Sequence, residues 1–263
     1  MFKQGQSSLN RDKGRVIAVT GKGGTGKTAL AAIMIKILVR DNRLKVLAID
    51  ADSAISLPQT LGVNISKTVN DIREEIIENP EARSKLADTH IRTVIGSIVK
   101  QVEGIHLLVM GRPEGPGCYC AINDLLKYGI ETLSRDFVVT IVDGEAGPEQ
   151  INRRVLQNVD TLIIVADTSI RSMQTASSIR HTAQAGEAVR FSQIGLVINR
   201  MRGESRAIVQ TAQQMDIKIL GYIPEDENIM KYDLAGEPIL KLPDTSPSVI
   251  AVEKILREIG LGI

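Results

Sequence analysis

The sequence predicts an α/β fold, a single domain built on a mostly parallel sheet with helices on both faces. Three observations predict it. Short apolar runs alternate with helical patterns along all 263 residues. The runs are continuous rather than alternating, as strands buried on both faces are. The first run, Val16 to Val19, leads through a glycine-rich stretch into a helical pattern from Ala29 to Leu38. Strand, tight turn and helix in that order are the setting of a phosphate-binding loop.

That stretch, Gly21 to Thr28, reads Gly-Lys-Gly-Gly-Thr-Gly-Lys-Thr and matches the P-loop pattern G-x-x-x-x-G-K-[ST]. Gly23, Gly24 and Gly26 let the backbone wrap closely, so that successive N–H groups through Thr25 and Ala29 face phosphate oxygens. The helix that starts here adds its positive dipole end. Lys27 is expected to reach the β- and γ-phosphates, and the Thr28 hydroxyl to ligate Mg²⁺. A second lysine, Lys22, sits where a phosphate cradle does not require one.

The elements follow in order. Arg15 to Thr20 is the first strand and residues 26 to 40 the first helix, rich in Ala, Ile and Leu. Leu44 to Ile49 is a strand ending at Asp50-Ala51-Asp52, at the carboxyl edge where ligands bind in such sheets. Helical patterns over Val69 to Glu78 and Ala82 to Val102, broken at Asn79-Pro80, make residues 54–103 a helical insertion. Ile105 to Met110 is a strand that enters a Gly/Pro loop, Gly111 to Gly117. A helix from about Ala121 to Leu133 has Leu125, Leu126 and Ile130 on one face. Phe137 to Val142 is a strand ending at Asp143, followed by a helix opened by Pro148. Leu162 to Ala166 is a strand ending at Asp167, and Ser169 to Ala185 is a helix. Ile194 to Ile198 and Ile217 to Tyr222 are the last strands. Ser246 and Pro247 open a terminal helix to Ile259. Residues 1–14 form a polar, flexible arm, and residues 15–263 the domain.

Four strand ends carry polar groups suited to a nucleotide. Asp143 closes an apolar strand in the Walker B manner and is expected at Mg²⁺, usually through water. Its other reading, a cap for the helix at Pro148, places it five residues too early. Gly147 offers a backbone N–H to the γ-phosphate, which makes 143–149 a switch segment. Of Asp50 and Asp52, one is expected to support Mg²⁺ or Lys27 and the other to orient the attacking water. Asp52 also fits a cap on the segment that begins near Ala54. The Asn199 amide suits the adenine edge or a turn. Arg200 beside it and Pro224 after the last strand complete the expected nucleotide site.

Composition excludes several functions. Net charge is +1 and aromatics are 3%, which argues against a nucleic-acid surface. No apolar run approaches the length of about 18 residues that spans a membrane, and the N-terminus lacks a secretory apolar core. The two cysteines, Cys118 and Cys120, are too close for a useful disulfide, so a reducing cytoplasm is expected. They open a helix from a Gly/Pro loop. Such a pair is either two ordinary thiols or half of a tetrahedral four-thiolate site. A two-fold axis between two chains supplies the other half. The histidines show no metal spacing, and His106 lies inside an apolar strand.

Lys22-Gly23-Gly24-Thr25-Gly26-Lys27-Thr28 resembles the deviant Walker A motif of the MinD/ParA/nitrogenase-iron-protein class of P-loop ATPases. The resemblance implies an ATP-bound homodimer in which Lys22 reaches the partner's phosphates as an arginine finger does. Within the class, Gly117-Cys118-Tyr119-Cys120 and Asp143-Gly144-Glu145-Ala146-Gly147-Pro148-Glu149 are similar to CooC-type nickel-insertion ATPases. This implies Ni²⁺ or Zn²⁺ shared by Cys118 and Cys120 of two subunits, with carbon monoxide dehydrogenase or acetyl-CoA synthase as client. It also implies Asp52 in one switch, Asp143 and Gly147 in the other, and Asn199 at adenine. The chain departs at Ser53, where the family usually has proline, which leaves Asp50 and Asp52 competing for the water-orienting role. Two other readings are a MinD/ParA-like positioning ATPase and an iron–sulfur ATP-dependent reductase resembling nitrogenase iron protein. The second takes its cysteines from two segments, and Asp143 to Gly147 contains none.

Overall fold

The computed structural model describes residues 14–41, 44–79, 90–112, 120–146, 158–185, 190–203 and 206–262. Expectations for the N-terminal arm, the Cys118 loop, Gly147 and the helix opened by Pro148 lie outside these residues. The first half of the chain comprises β1 (Arg15–Gly21), α1 (Lys27–Val39), β2 (Val46–Asp50), α2 (Leu57–Leu61), α3 (Val69–Glu78), α4 (Ile91–Ser97), β3 (Lys100–Val102), β4 (Ile105–Val109) and α5 (Cys120–Ser134). The second half comprises β5 (Val139–Ala146), β6 (Asn158–Ala166), α6 (Ile170–Ala185), β7 (Arg190–Met201), α7 (Arg206–Gln214), β8 (Lys218–Pro224), α8 (Glu227–Ala235) and α9 (Pro247–Glu258).

The strands form one sheet in the order β3-β4-β2-β5-β1-β6-β7-β8. Every pairing is parallel except β3 with β4. Strand β1 is central, so the loop after it opens on the middle of the carboxyl edge. The pleat sends alternate residues to opposite faces. On one face Ile17, Val19, Ile163 and Val165 pack with α1 and with Val249, Val252, Ile255 and Leu256 of α9. On the other, Leu47, Ile49 and Leu108 meet α3, α4 and α5, while Leu162, Ile164 and Leu196 meet α6. Helix α1 is apolar nearly all round and accordingly buried nearly all round.

The structure corrects parts of the sequence reading. Lys100 to Val102 is not helical but an edge strand, joined to β4 through Glu103 and Gly104 at φ 47° and 83°. Positive φ at both residues marks the tight hairpin that fits strand twist. Strand β7 runs on to Met201, which places Asn199 within it rather than at its end. His106, which the sequence reading leaves as a core or an edge histidine, is half-buried on β4. Its ring meets Phe137 edge-on at 4.9 Å, and burial lowers its pKa, assisted by the Lys45 charge against a Val46 backbone bond.

A buried carboxylate fixes the C-terminal layer. Asp226 accepts from the hydroxyls of Ser246 and Ser248, both at 2.6 Å, and from the N–H groups of Ser248 and Asn228, both at 3.0 Å. It thereby caps α8 and pins the start of α9. Burial pushes its carboxyl up, but these four donors outweigh burial and hold it below the usual range. A depressed carboxyl stabilises the fold above the unfolded pKa of about 3.9, and that stability is lost as pH falls through the folded value. Asp226→Ala should cost about 2–3 kcal/mol in chemical denaturation, and Asp226→Asn should flatten the acid-side loss of stability.

Candidate nucleotide site

The loop between β1 and α1 is shaped by its own bonds and by β7. The Lys22 carbonyl accepts from the Thr25 N–H at 3.3 Å and the Thr25 hydroxyl at 2.8 Å, closing a turn. Gly26 follows at φ 90°, and a Cβ there would come within 2.4 Å of Asn199 Nδ2. That nitrogen donates to the Thr25 carbonyl at 2.8 Å, while Asn199 Oδ1 accepts from the Arg200 N–H at 2.9 Å. The Asn199 amide therefore braces the loop from below. Arg200 takes φ 56°, and Pro224 pairs with Met201 in the next strand over. Helix α1 has no side-chain cap and no acid in its first turn, so its N–H groups and dipole are left for an anion. Lys27 is buried within the cradle, and Lys22 is half-buried.

Two carboxylates lie behind the loop. Asp50 and Asp143 are register partners on β2 and β5, and both are fully buried. Asp50 accepts from the N–H of Asp52 and of Leu57, each at 3.0 Å. Neither oxygen of Asp143 has a hydrogen-bond partner. Burial pushes the Asp143 carboxyl up to about 7; the neighbouring Thr28 hydroxyl and Lys27 oppose this, while Asp50 and Asp52 add to it. Burial likewise raises Asp50 to about 6, against its two backbone donors and with the Asp52 charge. A buried carboxylate with no donor is a fitting ligand for a hard cation, and the Thr28 hydroxyl lies beside it.

The remaining expectations divide. Asp52 is half-exposed and its Oδ1 accepts from the Ala54 N–H at 2.9 Å, which closes a local turn rather than capping a helix, since α2 begins only at Leu57 with Ser56 as its N-cap. Cys120 begins α5, but its side chain and the whole of Cys118 lie outside the described residues, as does Gly147. Among the described residues no cluster of His, Cys, Asp and Glu is arranged as a separate metal centre. None of their helices is long and apolar enough to cross a membrane.

Sequence reasoning passed over Ser56 and gave no contact to Ser53 or Asp167. Ser56 meets the Thr28 hydroxyl at 3.1 Å; its signal was a serine ahead of Leu57-Pro58 at a helix start. Ser53 donates to Glu145 Oε1 at 2.9 Å. Asp167, after β6, accepts from the Ser169 N–H at 2.8 Å. Burial would raise Asp167, but Ser169 and the charges of Lys22 and Arg200 lower it. Lys22 thus has an anionic neighbour at the rim.

A glycine-rich loop at the central strand's carboxyl end, backed by buried aspartates, defines a P-loop nucleotide-binding domain. The family model described as "CobQ/CobB/MinD/ParA nucleotide binding domain" matches residues 16–239. The chain belongs to that family and is an ATPase. It is 39% identical to the ATP-binding protein MJ0685 of Methanocaldococcus jannaschii, over 93% of this chain and 98% of that one. It is 32% identical to the carbon monoxide dehydrogenase accessory protein CooC of Rhodospirillum rubrum, over 88% and 90%. Its fold matches a ParA family ATPase from Chlorobium tepidum at TM-score 0.70 and 22% identity, over 95% and 100%.

Gly26→Ala should abolish ATP binding measured calorimetrically and cost about 1–3 kcal/mol, since both φ and the Asn199 contact resist a side chain. In the metal-free protein the raised carboxyls of Asp143 and Asp50 carry a charge penalty. That penalty is full above about pH 7 and is relieved as pH falls toward the unfolded pKa. Asp143→Asn should therefore raise the Tm of the metal-free protein at pH 8 while removing Mg²⁺-dependent hydrolysis.

Proposed function

We propose that the chain is an ATP-driven metallochaperone, a nucleotide-controlled homodimer that holds Ni²⁺ or Zn²⁺ as cargo between its Cys118–Cys120 pairs. The observation that carries this reading is that Cys120 is the first residue of α5, two positions after Cys118. A helix N-terminus favours the thiolate, and two chains about a two-fold axis supply four thiolates for a tetrahedral ion. Similarity to CooC supports a nickel-enzyme client, carbon monoxide dehydrogenase or acetyl-CoA synthase.

In this reading residues 15–263 act as one ATPase domain. The N–H groups from Gly23 to Ala29 and the Lys27 ammonium hold the phosphates of ATP. Thr28 and Asp143 hold Mg²⁺, which supplies charge neutralisation at the transferring phosphoryl group. Asp52 orients the attacking water, and Asp50, bound to two backbone N–H groups, shapes the loop that carries it. Gly147 senses the γ-phosphate. Arg200 and Pro224 form the side of the site that faces the base, and Asn199, with both amide atoms engaged, ties that side to the phosphate loop. Lys22 of one chain serves the phosphates of the other. A MinD/ParA-like membrane role fits less well, because the apolar stripe of α9 is spent in the core.

The test is anaerobic purification followed by metal analysis, visible absorbance and mass with and without ATP. One Ni²⁺ or Zn²⁺ per dimer, lost in Cys118→Ser or Cys120→Ser, supports the proposal. A brown reducible cluster, or metal-free protein bound to liposomes or DNA, sinks it. Lys27→Ala should abolish nucleotide binding. Lys22→Ala should retain binding and lose hydrolysis; intact hydrolysis would remove the cross-dimer role.

A further inference from the structure

The segment between β2 and α2 carries Asp52 and is braced at three places. Asp50 holds both of its ends through the N–H groups of Asp52 and Leu57. The Ser56 hydroxyl meets the Thr28 hydroxyl near its far end. Ser53, next to Asp52, donates across to Glu145 Oε1 on β5. Between these braces Ile55 takes φ 52°, a left-handed conformation that a β-branched residue adopts only when its surroundings impose it.

Glu145 reaches Ser53 because β5 is irregular there. Val19 pairs with Asp143 but Gly21 pairs with Ala146, so β5 carries one residue more than β1 over this stretch. Such a bulge breaks the alternation that would otherwise put Asp143 and Glu145 on the same face, and bulges re-aim side chains beside active sites. The residue before it, Gly144, admits no side chain; a Cβ would stand 2.8 Å from the Val19 carbonyl. The Thr20 hydroxyl donates to the Glu145 carbonyl at 3.4 Å, which fixes the backbone and leaves the carboxylate for Ser53.

We propose that Ser53 and Glu145 are a positioning pair for ATP hydrolysis. Their hydrogen bond ties the strained Asp52 loop to the strand that carries Asp143, and so sets where the Asp52 carboxylate stands relative to the bound phosphates. This rests on the reading of Asp52 as the water-orienting residue. Neither Ser53 nor Glu145 belongs to the phosphate cradle of residues 21–28, so their loss acts on turnover rather than on ATP binding. A small displacement of an orienting group is enough to slow the chemical step.

The experiment is steady-state ATP hydrolysis by the full chain with Mg²⁺, and ATP affinity by calorimetry, for Ser53→Ala, Ser53→Thr, Glu145→Ala, Glu145→Gln, the double alanine variant and Asp52→Asn. Ser53→Ala and Glu145→Ala should each lower kcat about tenfold, the scale of one partly exposed hydrogen bond to a carboxylate, with ATP affinity unchanged. The double variant should be no slower than the slower single. Ser53→Thr and Glu145→Gln, which keep donor and acceptor, should recover most of kcat. Multiplying losses in the double variant, or a loss confined to ATP affinity, overturn the pair while Asp52→Asn remains inactive. Wild-type kcat in Asp52→Asn sinks the water-orienting reading and this inference with it.

Discussion

Two carboxylates buried side by side at the centre of the sheet are the constraint on which the rest depends. Asp50 and Asp143 face each other across β2 and β5 with no solvent exposure. Burying two such charges together is costly unless each finds compensation. The compensation is unequal. Asp50 spends both oxygens on backbone N–H groups and thereby folds the Asp52 loop. Asp143 receives no hydrogen bond and stands beside Lys27 and Thr28. One aspartate is thus held by the backbone and the other has no hydrogen-bond donor, although the sequence presents both at strand ends in the same way.

This asymmetry explains why the site was legible only in outline. The loop from Gly21 to Thr28 could be read because its chemistry is local. Gly26 must accept φ 90°, and the apolar run before it must be a buried strand. Asp143 was legible only in part, since it lies within β5, which runs on to Ala146, rather than at the end of its strand. The division of labour between Asp50 and Asp52 was not, because it depends on a bond from Leu57 that closes seven residues later. The Ser53–Glu145 bond joins residues 92 positions apart and leaves no periodic trace in either segment. Ser53 was visible only as a departure from a pattern.

The fold misses have equally specific causes. Helix α8 has no fully buried residue and leaves Met230 and Leu234 exposed, so it lacks the stripe by which a helix is recognised. Helix α2 is five residues long, too short for a period to show. Strand β3 has three residues and rests on a Glu-Gly turn, a weaker hairpin signal than Asn-Gly. The continuous apolar strands at the centre, by contrast, were found where expected, with ends displaced because β5, β6 and β7 extend past their apolar runs.

The same carboxyl edge joins the Asp52 loop to the start of the segment that leads toward the cysteines. The Asp50 carbonyl accepts from the Met110 N–H at 2.8 Å, and the Met110 carbonyl accepts from the Asn70 N–H at 2.9 Å. Gly111 follows at φ 78°, so close to Thr68 that a Cβ would lie 2.4 Å from its hydroxyl. The start of the cysteine-bearing loop is therefore packed against the cap of α3 and bonded to the residue that shapes the Asp52 loop. Helix α5, which Cys120 opens, shares its apolar core with α3 and α4. Mg²⁺ bound at Thr28 would sit at the hydroxyl that meets Ser56, at the far end of the Asp52 loop. A change there would reach Asp50 through the Leu57 N–H, and from Asp50 the Met110 N–H just past β4. Packed elements of this kind shift between discrete arrangements rather than deform smoothly. That property suits a protein proposed to hold a metal in one nucleotide state and release it in another.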